Sequence, residues 1–147
     1  MKIFYVALLG VSVLALTAPR VSAIDDSDAE TNARISALDV AGAFSNEGFK
    51  IRDGHWAGPL KPKDKAQLMT VNLYAGNQYY FVLGTEKEAH IVLAVYDETG
   101  KKVSTDTWAD GNKFATSVAP AASGPLYVSV RLADGDPTTF CLLYTYK

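Results

Sequence analysis

Cysteine and histidine are scarce in this 147-residue sequence, which restricts the chemistry it can perform. Cys141 is the only cysteine, so an intramolecular disulfide is impossible, and its apolar neighbours in FCLLYTY predict a buried side chain. The two histidines, His55 and His90, are far apart and form no H-x-H or H-x-x-x-H pattern, which argues against a histidine metal site. No G-x-S-x-G motif is present either. We therefore expect no catalytic residues and no enzyme activity.

Long apolar runs are absent except at the amino terminus, where Ile3–Leu16 follows Lys2. This run of 14 residues is shorter than the roughly 20 that a membrane-spanning helix needs. Small residues at Val21-Ser22-Ala23 complete the pattern of a secretory signal peptide over residues 1–23. We expect cleavage after Ala23, no membrane span after cleavage, and a secreted or periplasmic location.

Excess positive charge is also absent. The chain has 14 basic and 16 acidic residues, and two of the basic residues, Lys2 and Arg20, lie in the predicted signal peptide. Proteins that bind nucleic acid or anionic membranes normally carry a basic patch, so the composition excludes nucleic acid as a partner.

Residues 24–48 form a polar leader that could contain a short helix. Apolar residues recur there at loosely helical steps, namely Ala33, Ile35, Leu38, Ala41 and Phe44. A disordered leader is the alternative, and Gly48 ends the segment. We expect at most one short helix here and place no function on it.

Strand and turn signals fill residues 49–147. The stretch AQLMTVNLYAGNQYYFVLG predicts two strands joined at Gly76-Asn77, and HIVLAVY, which is apolar on both faces, predicts a central strand. Apolar and other residues alternate over residues 126–132, which predicts a strand with Tyr127, Ser129 and Arg131 facing outward. Short strands are also predicted over Lys102–Thr105, Phe114–Val118 and Thr139–Tyr146. About eight short strands with brief connections predict an all-β, antiparallel two-sheet β-sandwich.

The stretch VYDETGKKV contains adjacent acids, Asp97 and Glu98, which could belong to a metal site or to a turn. Aspartate is favoured at the first turn position because its carboxylate accepts backbone N–H groups, and Gly100 supplies the positive φ of a three-residue hairpin loop. The stretch lacks the D-x-D-x-D spacing of a calcium loop. A hairpin turn is therefore the favoured interpretation.

Calcium remains the one cofactor that the sequence suggests, through acids in neighbouring turns. The candidate ligands are Asp97, Asp106, Asp110, Asp134 and Asp136. Turns at the same end of a sandwich can converge, and calcium prefers six or more oxygen ligands. Apart from calcium, we expect no cofactor.

Aromatic residues provide the candidate ligand-binding surface. Trp56 and Trp108 stand beside turn-forming residues, and Tyr74 and Tyr80 flank the Gly76 turn. One hypothesis is that Trp56 or Trp108, helped by Tyr74 or Tyr80, stacks on a sugar ring or on a side chain of a protein partner. The alternative is that both tryptophans cap the ends of the sandwich core.

Several motifs resemble the bacterial pre-peptidase C-terminal domain. The motifs are VNLYAGNQYYFVLG, IVLAVYDETGKKV, VAPAASGPLYVSVRL and FCLLYTY, with matches at Leu73, Gly76, Tyr79, Phe81, Tyr96, Asp97, Gly100, Pro120, Ser123, Gly124 and Tyr127. The resemblance covers roughly residues 50–147. It implies a jelly-roll-like β-sandwich of secreted bacterial proteins, often appended to a peptidase, although this sequence contains no catalytic domain.

Together these observations predict a secreted, non-catalytic binding or accessory module that recognises extracellular polysaccharide or protein at the cell envelope. One alternative is a calcium-stabilised structural protein of the envelope that associates through a sheet edge. A small hydrolase is the weaker alternative, because a Ser–His–Asp set is recognised by geometry and not by sequence position.

The signal-peptide prediction can be tested on the exported protein. We expect protein recovered from the periplasm or the medium to begin at Ile24, as measured by intact-mass spectrometry and amino-terminal sequencing. Ala23→Arg should block this processing, because the residue before the cleavage site must be small. Recovery of a cytoplasmic protein that retains residues 1–23 would contradict the prediction.

Overall fold

The computed structural model describes residues 26–147, in which one α-helix precedes nine β-strands. The elements are α1 (Asp26–Asn46), β1 (Lys50–Ile51), β2 (Trp56–Leu60), β3 (Gln67–Leu73), β4 (Tyr79–Thr85), β5 (His90–Tyr96), β6 (Thr105–Asp110), β7 (Lys113–Val118), β8 (Gly124–Asp134) and β9 (Thr138–Tyr146). The predicted signal peptide, residues 1–23, lies outside the described residues. No helix in residues 26–147 combines the length and the apolar character that a bilayer crossing requires.

The strands form two antiparallel sheets. The large sheet has the order β1-β9-β4-β7-β6, and β2 pairs with the same edge of β9 as β1, further along the strand. The small sheet has the order β3-β8-β5. The prediction of an all-β, antiparallel two-sheet sandwich is therefore confirmed.

The inner faces of the two sheets form the main core. In β8 the inward positions Leu126, Val128, Val130 and Leu132 are buried, as the period-two pattern predicts. They pack with inward residues of the large sheet, including Phe81, Leu83, Phe140 and Leu142. Burying this many aliphatic and aromatic side chains supplies the main driving force for folding.

The prediction that HIVLAVY is a central strand is wrong. This segment is β5, whose one partner among the nine described strands is β8, so it forms an edge of the small sheet. Its inward residues Leu93 and Val95 are buried, but the outward Val92 is 41% exposed. The strand that is covered on both faces is β4, because the core lies on one side and α1 on the other. An apolar run indicates burial of both faces but does not identify the element that covers them.

Two connections also differ from the predictions. Residues 74–78 join β3 of the small sheet to β4 of the large sheet, so Gly76 lies in a crossover between sheets and not in a hairpin. The strand predicted over Lys102–Thr105 is reduced to one bridge between Tyr96 and Lys102, and β6 begins at Thr105. Local turn signals do not specify which strands pair, because pairing depends on contacts distant in sequence.

The single predicted helix is present, but at 21 residues it is not short. It packs on the outer face of the large sheet, where Ala37, Val40 and Ala41 contact Val82 and Leu143. The ring of Phe44 stacks on the ring of Tyr80, with 4.0 Å between their centroids. The helical periodicity of apolar residues is weak in this sequence, because the buried face of α1 is rich in alanine while the larger Ile35 and Leu38 are exposed. The two faces therefore differ little in hydrophobicity.

The helix approaches the sheet most closely at Gly84 of β4. A Cβ atom at Gly84 would overlap the backbone of Ala33 and Ala37 in α1. Polar contacts fix the helix around this point. The Asn112 amide donates to Ser36 Oγ at 2.8 Å, and Lys113 Nζ donates to Asp39 Oδ2 at 2.6 Å.

Cys141 provides a probe of this packing. It pairs with Gly84 in the large sheet and lies on the helix side of β9, since its neighbours Phe140 and Leu142 point into the core. It is fully buried, and burial raises the pKa of its thiol to about 11. The thiol is therefore protected from reagents as long as the helix remains in place.

A pair of matched substitutions tests the seating of the helix. We expect Gly84→Ala to lower the free energy of unfolding by about 1–3 kcal/mol, because the added methyl overlaps the helix backbone. It should also speed the labelling of Cys141 by thiol reagents. Gly42→Ala, the same change within α1 where a Cβ meets nothing within 4 Å, should raise the free energy of unfolding by up to about 1 kcal/mol. Denaturant titration measures both, and unchanged stability and labelling in Gly84→Ala would contradict this packing.

Candidate binding site

A cleft lies at the end of the sandwich where β5 ends and β8 begins. It has a volume of about 680 Å³ and lies between the turn Asp97–Lys102 and the segment Ala119–Leu126. Alanine and proline residues provide most of the second wall, and hydroxyl and charged groups at Thr99, Lys101 and Ser123 line the rest. An apolar lining with a few polar groups is typical of ligand pockets. We call this feature the end cleft.

The first wall of the end cleft is held rigidly by Asp97. Its Oδ1 accepts hydrogen bonds from Thr99 N at 2.9 Å, Thr99 Oγ1 at 2.6 Å and Lys101 N at 3.0 Å. Gly100 has φ of 81°, and its N–H donates to the carbonyl of Asp97 at 3.0 Å. The predicted turn is therefore confirmed, but the predicted hairpin is reduced to the one bridge between Tyr96 and Lys102, because the chain then crosses to β6 of the large sheet. The Thr99 hydroxyl, followed by the Lys101 N–H, lowers the pKa of the Asp97 carboxyl below its usual value.

The second wall of the end cleft is fixed by Ser123 and by two prolines. Ser123 Oγ accepts a hydrogen bond from Ala75 N at 2.9 Å, which ties this segment to the crossover after β3. Pro120 and Pro125 restrict the backbone on either side because their rings lock φ. Both walls are therefore formed before any ligand binds.

Two tyrosines on the outer face of the small sheet are chain neighbours of residues that line the end cleft, although neither tyrosine lines it. Tyr96 of β5 and Tyr127 of β8 are direct cross-strand partners, and both side chains are half-buried. They point outward because their neighbours Val95 and Val128 are buried in the core. Tyr96 immediately precedes the Asp97 turn of the cleft. We call these two residues the tyrosine pair.

The outer face that carries the tyrosine pair is open. The helix packs on the large sheet, and no element described in residues 26–147 covers the corresponding face of the small sheet. Leu68 of β3 is 66% exposed on this face, and Val92 of β5 is also exposed. The same face also carries polar residues, including Thr70, Ser129 and Arg131, so it presents apolar and polar groups side by side.

The four aromatic residues predicted as ligand contacts lie on separate elements. Trp56 of β2 packs against the core and stacks on Tyr144 with 6.4 Å between ring centroids, and Tyr80 stacks on Phe44. Trp108 is exposed on β6 of the large sheet, and Tyr74 is exposed after β3 of the small sheet. Tyr74 precedes Ala75, which is bonded to the cleft wall. Only Tyr74 therefore lies near the end cleft.

The sequence contained part of the signal for the tyrosine pair. The alternation of β8 predicts an outward Tyr127. The partner, Tyr96, required knowledge that β5 pairs with β8 in a register that places these two residues opposite each other. That register depends on long-range strand pairing, which the local pattern does not specify.

The five aspartates predicted as calcium ligands are spread over three parts of the sandwich. Asp97 lies in the cleft turn, Asp106 and Asp110 belong to the edge strand β6, and Asp134 and Asp136 flank the turn after β8. Within the portion that the structure describes, no three His, Cys, Asp or Glu residues cluster in a way that could hold a metal ion. Calcium binding stays a prediction without a preformed ligand cluster.

Both histidines contact carboxylates near the surface. His55 Nε2 lies 3.0 Å from Glu30 Oε1, which links the first turns of α1 to the segment before β2. His90 Nδ1 contacts Asp134 Oδ1 across the ends of β5 and β8. These pairs are far from the end cleft in sequence, and neither histidine lines it.

The lowered pKa of Asp97 gives a testable pH dependence. A carboxyl whose pKa is depressed in the folded state stabilises that state above its unfolded pKa, and the contribution is lost as pH falls through the folded pKa. We expect Asp97→Asn to lower the Tm at neutral pH, with a difference from wild type that shrinks at strongly acidic pH. Glu98→Gln, the adjacent matched change, should leave the Tm nearly unchanged at both. An equal effect of the two substitutions would contradict the role of Asp97 in the turn.

Comparison with known proteins identifies the fold. No family model matches the chain, and no curated protein sequence matches it. The chain is similar to a solved structure, the pre-peptidase C-terminal domain of collagenase from Bacillus anthracis, with a TM-score of 0.50 and 20% sequence identity. The similarity covers 62% of this chain and 87% of that domain. The chain therefore has a fold like that of a pre-peptidase C-terminal domain, as its strand and turn motifs predict.

Proposed function

We propose that this protein is a secreted, non-catalytic accessory module that binds a carbohydrate chain at the cell envelope through the end cleft and the tyrosine pair. The observation that carries the proposal is a cleft whose lining residues Asp97 and Leu126 are the chain neighbours of two outward tyrosines, on a sheet face that no element in residues 26–147 covers. The fold supports an accessory role, since the similar solved structure is one domain of a collagenase.

The tyrosine pair has the chemistry that a sugar ring requires. A tyrosine ring offers a large apolar face with few rotatable bonds, and its hydroxyl remains available for hydrogen bonding. Tyr96 and Tyr127 are half-buried, so the surrounding sheet restrains their rings before a ligand arrives. Little conformational entropy is then lost on binding, which favours affinity.

The end cleft adds polar groups beside this apolar platform. Ser123 accepts a hydrogen bond from Ala75 N, and its own O–H is still able to donate. Lys101 and Glu98 lie on the opposite wall, where they can contact sugar hydroxyls. Asp97 contributes to the shape of the wall, because Oδ1 accepts three hydrogen bonds within the turn.

Substitution of the tyrosine pair tests the proposed function. On an array of bacterial polysaccharides, we expect at least one glycan to bind, and Tyr96→Ala and Tyr127→Ala each to weaken binding roughly 10-fold or more, since aromatic anchors contribute above about 1.4 kcal/mol. Trp108→Ala is the control, because Trp108 is exposed on the other sheet. Affinities are measured by calorimetry, after circular dichroism has shown that each variant is folded.

The outcomes separate the alternatives. Loss of binding in Trp108→Ala alone would move the site to β6 of the large sheet. Binding to an immobilised envelope protein but to no glycan, with the same dependence on the tyrosine pair, would keep the surface and change the ligand class to protein. Absence of binding to both classes would contradict the proposal.

A further inference from the structure

The sandwich has four sheet edges, and most of them carry features that prevent pairing with another strand. An edge strand presents unpaired N–H and C=O groups, so proteins commonly protect edges with prolines, bulges, very short strands or covering segments. At one edge of the large sheet, β1 has two residues and β2 contains Pro59. At the other edge, the register of β6 shifts between Thr105 and Trp108, where Asp106 has a φ of 48°.

The β5 edge of the small sheet is protected in two ways. Its register shifts between His90 and Ile91. At its other end, the backbone after the cleft turn covers it, with Val103 N donating to the Val95 carbonyl at 2.8 Å. Continued pairing along β5 is therefore blocked at both ends.

The β3 edge has none of these features. Its seven residues, QLMTVNL, pair with β8 in an uninterrupted register and contain no proline, glycine or charged residue. Among the strands of residues 26–147, β3 pairs only with β8. Leu68 is 66% exposed beside this edge. A regular, uncharged and unprotected edge of this length is a ready template for another strand.

We propose that β3 pairs antiparallel with β3 of a second copy of this chain, around a two-fold axis at Thr70. The two small sheets then become one six-stranded sheet. In this register Thr70 lies opposite Thr70 of the second copy, and Met69 lies opposite Val71, so apolar inward positions meet each other. Strand pairing around a two-fold axis gives a closed dimer with the same surface on both subunits.

Charge supports a second copy as the occupant. The seven residues of β3 carry no charge, and the nearest charged residues before the strand, Asp64 and Lys65, fall opposite Gly76 and Ala75 of the second copy. No like charges therefore meet along the paired edge. Directly opposed like charges would disfavour such a pairing.

The dimer has a consequence for ligand binding that rests on the proposed function. The outer faces of the two small sheets become continuous, because the two-fold axis places both Thr70 side chains on the same side of the joined sheet. Two tyrosine pairs then lie on one surface, and a polymeric ligand that reaches both gains avidity without new contacts. The pairing of β3 itself does not depend on this ligand.

Disulfide trapping tests the register. Thr70→Cys places two thiols opposite each other across the axis, and we expect a covalent dimer after mild oxidation. Leu68→Cys is the control, because its two copies are displaced by four residues, or roughly 13 Å, which exceeds disulfide reach. The natural Cys141 does not compete, because it is buried. Non-reducing electrophoresis measures the fraction of covalent dimer that each variant forms. Equal fractions in the two variants, or no dimer in either, would overturn the proposal.

Sedimentation equilibrium tests the association itself. We expect a reversible dimer, weakened about fivefold or more by Thr70→Lys or Thr70→Glu, and restored when these two variants are mixed. Thr107→Lys, the matched change on the β6 edge, should not affect dimerisation. Both threonines are exposed, but the Thr107 hydroxyl also bonds Thr116 Oγ1 at 3.1 Å, so thermal unfolding is used to check that each variant is folded. A wild-type protein that stays monomeric at millimolar concentration would overturn the proposal, because β3 of a second copy would then not be the partner of this edge.

Thr70 is the cross-strand partner of Tyr127, so ligand binding is measured on the wild-type protein below and above the concentration at which it dimerises, and not on the Thr70 variants. The two proposals then fail separately. A monomer that binds glycan through the tyrosine pair contradicts only the dimer. A dimer that binds no ligand contradicts only the function.

Discussion

The packing of α1 on the large sheet is the contact on which the rest of the structure depends. β4 and β9 of the large sheet are apolar on both faces, so their outer side needs cover as much as their inner side. Gly84 allows the helix backbone to lie directly against the sheet, and alanines in α1 keep the separation small. Since α1 packs on the large sheet, the outer face of the small sheet is left open by the elements of residues 26–147. The asymmetry between the two faces therefore positions the candidate site.

The site itself combines a rigid end and an open face. The hydrogen bonds around Asp97 fix the turn, and the bond from Ala75 N to Ser123 fixes the facing segment. The tyrosine pair follows directly because Tyr96 is the last residue of β5 before that turn. The Asp97 turn, which the sequence predicts as a structural feature, therefore forms one wall of the end cleft. The aspartate has a structural role, and the surface that it shapes is available for binding.

Sequence patterns predicted the local features of this fold and missed the long-range ones. The buried alternation of β8 and the turn at Asp97 followed from residue preference, because each is determined within a few residues. The edge position of β5 and the crossover at Gly76 were missed, because they depend on which distant strands pair. The contact of Gly84 with α1 gave no signal either, since a glycine in a strand has several explanations. For the same reason, Tyr96 and Tyr127 became a pair only in three dimensions.

The exposed apolar groups of the small sheet need a physical explanation. A sheet face that only meets water would carry polar residues at alternate positions, as Thr70 and Asn72 do, whereas Leu68, Val92 and the tyrosine pair depart from that pattern. Covering this face with a helix, as on the large sheet, would remove the cost of exposing them but would also remove the surface. The same reasoning applies to the unprotected β3 edge next to this face. A proline, a bulge or a covering segment would protect the edge but would also prevent it from pairing with another strand. Both features lie on the small sheet, and the proposed binding and pairing surfaces account for both.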